Sequence, residues 1–159
     1  MKPETKQKRA LLATVILSTL TLLAFSNSFQ AGFAWDNEYL ILKDPRIRAA
    51  TAENIGLIFQ HTYWWPTGEA GIYRPLTTLS YLFNYSILGH REQPAGYHWI
   101  NLTLHTINVL LVYFLALRLV RRFWPSVFIA AVWGVHPVPS ESVTNIVGRA
   151  EVSCHWGGA

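Results

Sequence analysis

An all-α integral membrane fold is predicted, with about three transmembrane helices and a large outer loop holding interfacial amphipathic helices. Three observations carry it. Hydrophobic residues make up 51% of the 159 residues and charged ones only 14%, against about 25% charged in an ordinary soluble domain. Residues 10–34 contain no charge at all. Seven of the 13 Lys and Arg residues gather in two groups, Lys2, Lys6, Lys8, Arg9 and then Arg118, Arg121, Arg122, each bordering an apolar run. Cations beside apolar runs serve as topology signals and contacts for anionic lipid. A nucleic-acid binder would instead place a basic face on an otherwise polar domain, so no nucleic-acid partner is expected.

Taken in order, residues 1–9 read as a cytoplasmic basic tail and 10–32 as a first transmembrane helix. About 20 helical residues cross a core of roughly 30 Å. A cleaved signal peptide is the rival reading, since the basic start and the small residues Ala24 and Ser26 also fit one. Either way Asp36 falls on the non-cytoplasmic side. Residues 33–96 form an outer or luminal loop rich in proline and aromatics. Helical spacing appears within it at Ala52–Phe59 and Pro75–Leu88, both shorter than a span. Such pieces either lie in the interface plane or fold into a small core above the membrane.

A second span is read at 97–120, followed by a cytoplasmic turn at 121–123 and a third span at 124–137. On the second, Asn101, His105 and Asn108 share one face. Contact with neighbouring helices and contact with a ligand are both open to them. Residues 138–159 read as an outer segment, and the lack of a cap or charged stop after Ala150-Glu151-Val152 suggests a fragment. The single cysteine, Cys154, excludes an internal disulfide and a cysteine-based zinc cluster.

Asp36 and Glu38 stand two apart, on one face if the segment is extended. Paired acids supply a general base and a group that orients the nucleophile, although acids beside a span are also commonly just solvated. Arg74 and Arg149 are isolated guanidinium groups in apolar sequence, suited to binding a phosphate or pairing with Asp44, Glu141 or Glu151. His136 and Glu141 have no metal-ligand spacing, and no metal is expected. Asn84-Tyr85-Ser86 and Asn101-Leu102-Thr103 match the glycosylation acceptor triplet, a pattern frequent by chance.

Trp35-Asp36-Asn37-Glu38-Tyr39, Asp44-Pro45, Ile72-Tyr73-Arg74-Pro75-Leu76, Gly96-Tyr97-His98-Trp99, His136-Pro137 and Gly148-Arg149-Ala150-Glu151 occur in that order. This series resembles the N-terminal part of the transmembrane-and-tetratricopeptide-repeat O-mannosyltransferases and their bacterial relatives. The resemblance implies a fragment of an inverting GT-C glycosyltransferase with many more spans, in the bacterial inner membrane or the endoplasmic reticulum. Its donor would be a polyprenyl-phosphate-linked sugar on the non-cytoplasmic side, its acceptor a protein or glycan, with no cofactor. It also implies an Asp-Asp pair in the first outer loop whose carboxylate takes the acceptor's proton. Asp36 matches the first position, Asn37 departs at the second, and Glu38 is a substitute. Arg74, His136 and Arg149 fall on matching motifs and are expected to contact the lipid phosphate. A non-catalytic anchor or assembly subunit is the alternative, which Asn37 favours.

Overall fold

Among the residues that the computed structural model describes, 3–33, 36–68 and 71–149, all regular structure is helical. For 3–5 and 139–142 the backbone alone is described. Trp35, Ala150, Glu151 and Cys154, and the side chain of Glu141, therefore lie outside the described residues.

Two helices are long and apolar enough to cross a membrane. The first, α1, runs Pro3–Ala24 and has its apolar stretch from Lys6. Its interior hydroxyls do not oppose a lipid setting, because Thr14 and Thr21 donate back to the carbonyls of Ala10 and Leu17. The chain then tightens into a 3₁₀ turn at Ser26–Gln30. The second long helix is α4, Pro94–Val120. It opens on a proline, whose missing N–H is harmless there, and closes where Arg121 adopts the left-handed conformation with φ 56°. The apolar run after the arginines forms α5, Phe123–Gly134. Its 12 residues span about 18 Å, less than a bilayer core of about 30 Å.

These three helices pack on one another through Ala13, Leu17, Val109, Tyr113, Val127 and Ala130. Close approach of α4 and α5 needs Gly134, where an added Cβ would sit 2.9 Å from a Val109 methyl. The Gly134 carbonyl in turn accepts from His105 Nε2 at 2.8 Å. Leu11, Leu23, Leu115, Leu119 and Phe128 remain exposed around the outside, as a lipid-facing surface requires. Lys6 and Arg9 at the start of α1 line the same cavity as Arg118 and Arg121, so both cationic groups meet at one end of the bundle.

At the other end the loop folds into its own core. The helices there are α2, Ala52–Gln60, capped by Thr51 accepting from Asn54 N–H, and α3, Pro75–Leu82. α3 continues into a π-helical turn at Phe83–Ile87. Together they bury Leu40, Ile41, Ile47, Ile58, Tyr63, Tyr81, Leu82 and Tyr97, with Ile146 from beyond α5. Ile55, Phe59, Leu76, Phe83 and Ile87 stay exposed. The last helix, α6, covers Pro137–Thr144 and packs on α4, with Val143 against Phe25 and Leu102.

A buried ion pair holds the loop. Asp44 caps the 3₁₀ turn Pro45–Ile47 and grips Arg46 through Nε and Nη2 at 2.7–3.1 Å, both residues being 1% exposed. The rest of the Arg46 fork donates to the carbonyls of Thr62, Tyr63 and Trp65. Asp44 is thus the partner of Arg46, not of Arg74 or Arg149.

Candidate functional site

The residues 36–42 are not extended. Asp36 and Asn37 are helical and run into a π-helical turn at Glu38–Leu42. Positions two apart in a helical turn do not share a face, so Asp36 and Glu38 do not form the same-face pair of an extended strand. Asn37 between them points inward and is buried, while both acids are exposed. Asn37 Oδ1 accepts from the Val147 N–H at 3.0 Å. That bond joins the acidic turn to the segment bearing Arg149. Glu38 pairs with Lys43 at 3.0 Å, and the ammonium lies 4.4 Å from the Tyr39 ring centroid. Donating a hydrogen bond to the Glu38 carboxylate raises the Lys43 pKa.

Arg149 is 1% exposed and sits in a cage built from two helices. Nε donates to Asn101 Oδ1 of α4 at 2.7 Å and Nη1 to Asn84 Oδ1 of the π turn at 2.7 Å. Nη1 also reaches the carbonyl and hydroxyl of Ser80, and Nη2 the carbonyl of Tyr97 at 3.1 Å. The guanidinium lies 5.0 Å from the Tyr81 ring and 5.9 Å from the Tyr97 ring, a cation over aromatic faces. Burial lowers the Arg149 pKa, opposed by the nearby tyrosines. An arginine nonetheless stays protonated in proteins.

The cage depends on Asn84. Its amide nitrogen meets Gly96 carbonyl at 3.2 Å and His90 Nδ1 at 3.0 Å, leaving Oδ1 for Arg149. Gly96 is obligatory here, since a Cβ would collide with the His90 ring. Asn84 and Asn101 are completely buried, which withdraws both glycosylation triplets. The polar face of α4 serves helix contacts: Asn101 Nδ2 also donates to the carbonyls of Asn145 and Ile146.

Arg74 precedes α3 and is half-buried, its guanidinium 5.8 Å from the Tyr63 ring centroid. Tyr63 and Tyr81 hydroxyls lie 3.2 Å apart. The order Arg74, Tyr63, Tyr81, Arg149 therefore links the two arginines through stacked contacts and one hydrogen bond. Burial raises both phenol pKa values. His136 is exposed, its Nδ1 accepting from Val138 N–H at 3.3 Å at the start of α6. No described hydrogen bond or ion pair ties His136 to Asp36, Arg74 or Arg149. Among the described residues no group of three or more His, Cys, Asp or Glu is placed to hold a metal ion.

Sequence reasoning missed Tyr63, Tyr81, Ser80 and Asn84 as parts of the site. The available signal was the density of tyrosines around Arg74 in residues 63–97; none stands near Arg149 in the sequence.

The site lies at the end of the bundle away from the cations. His98 Nε2 donates to the Ala31 carbonyl at 3.1 Å and Phe29 meets Trp99 at 4.8 Å, so the exit of α1 and the entry of α4 lie together. With this placement, similarity to known proteins becomes informative. Protein O-mannosyl-transferase Tmtc2 of Drosophila melanogaster is 30% identical over 139 residues, 85% of this chain and 14% of that protein. Protein O-mannosyl-transferase TMTC3 of Mus musculus is 32% identical over 143 residues, 87% of this chain and 15% of its own. TMTC4 of Homo sapiens is 28% identical over 159 residues, 89% of this chain and 21% of its own.

The chain belongs to this protein O-mannosyl-transferase family. It matches a part of its members and spans between 14% and 21% of the length of these curated relatives. No protein-family model matches the chain, and no solved structure does. Among the described residues of this chain all regular structure is helical, and two helices are long and apolar enough to cross a membrane.

Proposed function

We propose that the chain is part of a multi-pass membrane O-mannosyl-transferring enzyme of the GT-C type, using a polyprenyl-phosphate-linked sugar on the non-cytoplasmic side. Asp36 is the general base. Its carboxylate takes the proton of a protein hydroxyl as that oxygen attacks the anomeric carbon, the bond from that carbon to the phosphate oxygen breaks, and the configuration inverts. Polyprenyl phosphate leaves with the electron pair. Arg74 and His136 donate to that phosphate, and Glu38 is a second acid two residues from the base. Arg149, enclosed by its cage, positions the acidic turn through Val147 and Asn37.

The Asn37–Val147 hydrogen bond supports this reading above all, because it holds an exposed acid and the arginine segment together. The test is Asp36→Asn in the full-length protein, assayed for mannose transfer from the lipid-linked donor in sealed membranes. Loss of a general base lowers the rate by about 100-fold or more with donor KM unchanged. Turnover at the wild-type rate removes the assignment.

The second reading is a non-catalytic anchor or assembly subunit, whether in the bacterial inner membrane or the endoplasmic reticulum. Asn37 favours it, being a neutral, buried residue where the family resemblance implies a second acid. Membranes with and without the full-length protein that transfer sugar equally would establish this second reading.

A further inference from the structure

Arg149 ties its own end of the chain to the helices, but the bond to the acidic turn leaves two residues earlier, at Val147. That turn of chain has an anchor of its own. Asn101 Nδ2, on α4, donates to the Asn145 carbonyl at 3.0 Å and to the Ile146 carbonyl at 3.3 Å, while Oδ1 of the same side chain receives Arg149 Nε at 2.7 Å. Two other groups reach the Ile146 carbonyl, and neither replaces this grip. The Arg149 N–H, at 3.3 Å, only closes the turn on itself. The Tyr81 hydroxyl, at 3.5 Å, lies beyond the usual O–H···O range of about 2.5–3.0 Å.

The Ile146 carbonyl and the Val147 N–H belong to one peptide group, which is rigid and planar and, being trans, points the two bonds to opposite sides. Asn101 therefore holds one edge of this plane and Asn37 the other. The orientation of the plane matters, because Val147 N–H has a second acceptor within reach in Asn145 Oδ1 at 3.2 Å. A modest rotation exchanges Asn37 for Asn145 and releases the turn that bears Asp36. Asn101 opposes that rotation by fixing the carbonyls of both 145 and 146. Its amide is fully buried on a helix of 27 residues, so water does not compete for the two bonds.

We propose that Asn101 is a positioning residue for Asp36, acting through the Ile146–Val147 peptide and Asn37. This rests on the reading of Asp36 as the general base. The test compares full-length Asn101→Asp, Asn37→Ala and the double variant for sugar transfer in sealed membranes, with helix content read by circular dichroism for each. The aspartate keeps an acceptor for Arg149 but loses the amide donor and sets an oxygen against the two carbonyls. Each single substitution lowers kcat by about tenfold with donor KM unchanged, since a misplacement of about 1 Å costs up to about 100-fold. Both act on the same peptide, so the double variant is no slower than the slower single one, whereas separate structural damage would multiply the two losses. Thr103→Ala, at an exposed position of α4, leaves kcat unchanged. Asn101→Ser, which also lacks the amide donor, replaces the aspartate variant if that one does not fold. Wild-type kcat in Asn37→Ala or in a folded Asn101 variant overturns the proposal, and so do multiplied losses. Asp36→Asn is run beside them to separate the two readings. Wild-type turnover by it removes the base, and the positioning role with it; loss of transfer by Asp36→Asn beside an unimpaired Asn101 variant removes the positioning role alone.

Discussion

Arg46 and Arg149 are both 1% exposed, yet they are held in opposite ways. Arg46 finds its carboxylate two residues away, and its remaining partners lie at Thr62, Tyr63 and Trp65. The described partners of Arg149 are neutral, and all lie at least 48 residues back along the chain, from Ser80 to Asn101. The first arrangement forms within one loop. The second exists only once α3, the π turn, α4 and the segment after α6 have come together. The loop core is therefore fastened locally, whereas the candidate site is fastened by assembly, and substitutions at the two arginines should separate these roles.

The largest effect is expected at Arg149. Replacement by methionine leaves Asn101 Oδ1 and Asn84 Oδ1 without their donor inside the fold. Each buried orphan costs about 1–3 kcal/mol, so Arg149→Met should lower stability by on the order of 4 kcal/mol. Denaturant unfolding in micelles measures it. Asp44→Asn should follow at about 3 kcal/mol, in the range for breaking a buried pair. Its loss is smaller because three carbonyls still hold the Arg46 fork. If Asp44→Asn proves the more damaging, the local pair and not the assembled cage governs stability.

The Tyr63–Tyr81 pair makes the contrast dependent on pH. Burial raises both phenol pKa values in the folded chain. Between the unfolded value of about 10 and the raised folded value, the unfolded state has lost protons that the folded state keeps. Stability contributed by the pair is thus complete below about pH 10 and declines as pH rises further. Tyrosinate absorbance recorded beside circular dichroism checks this: at least two phenols should ionise only as the helices melt. Ionisation of every tyrosine before any loss of helix would contradict it. Asn37→Ala should act more gently, by about 1 kcal/mol, since Val147 N–H keeps a second acceptor in Asn145 Oδ1 at 3.2 Å.

The bundle was legible in the sequence because length, apolar continuity and flanking cations are properties of single segments. Helical spacing at Ala52–Phe59 corresponds to α2, and the pattern from Pro75 to Leu88 to α3 and its π turn. The acids at 36 and 38 were visible, but not the helical turn that separates their faces. Periodicity over so few residues does not distinguish a strand from a single turn. Arg149 was visible as an isolated charge, whereas its burial was not, because its partners Ser80, Asn84, Tyr97 and Asn101 share no motif with it. Asn37 was legible only as a departure from a pattern. Its contact with Val147, 110 positions away, is a product of the tertiary fold.

The smallest expected change is the most useful for the transferase reading. Glu38 and Lys43 form an exposed pair, with side chains 53% and 49% accessible, and solvent screens such pairs until little stability depends on them. Glu38→Gln should therefore leave the unfolding midpoint where it was. The amide still accepts from Lys43, and the buried neighbour Asn37 is untouched. Any fall in sugar transfer by this variant then belongs to the chemistry, as a lost negative charge beside Asp36. An Asp36→Asn variant that loses transfer while Glu38→Gln retains it would give the proton to Asp36 alone. Equal losses would make the two acids a single functional unit, despite the helical turn that directs them to different faces.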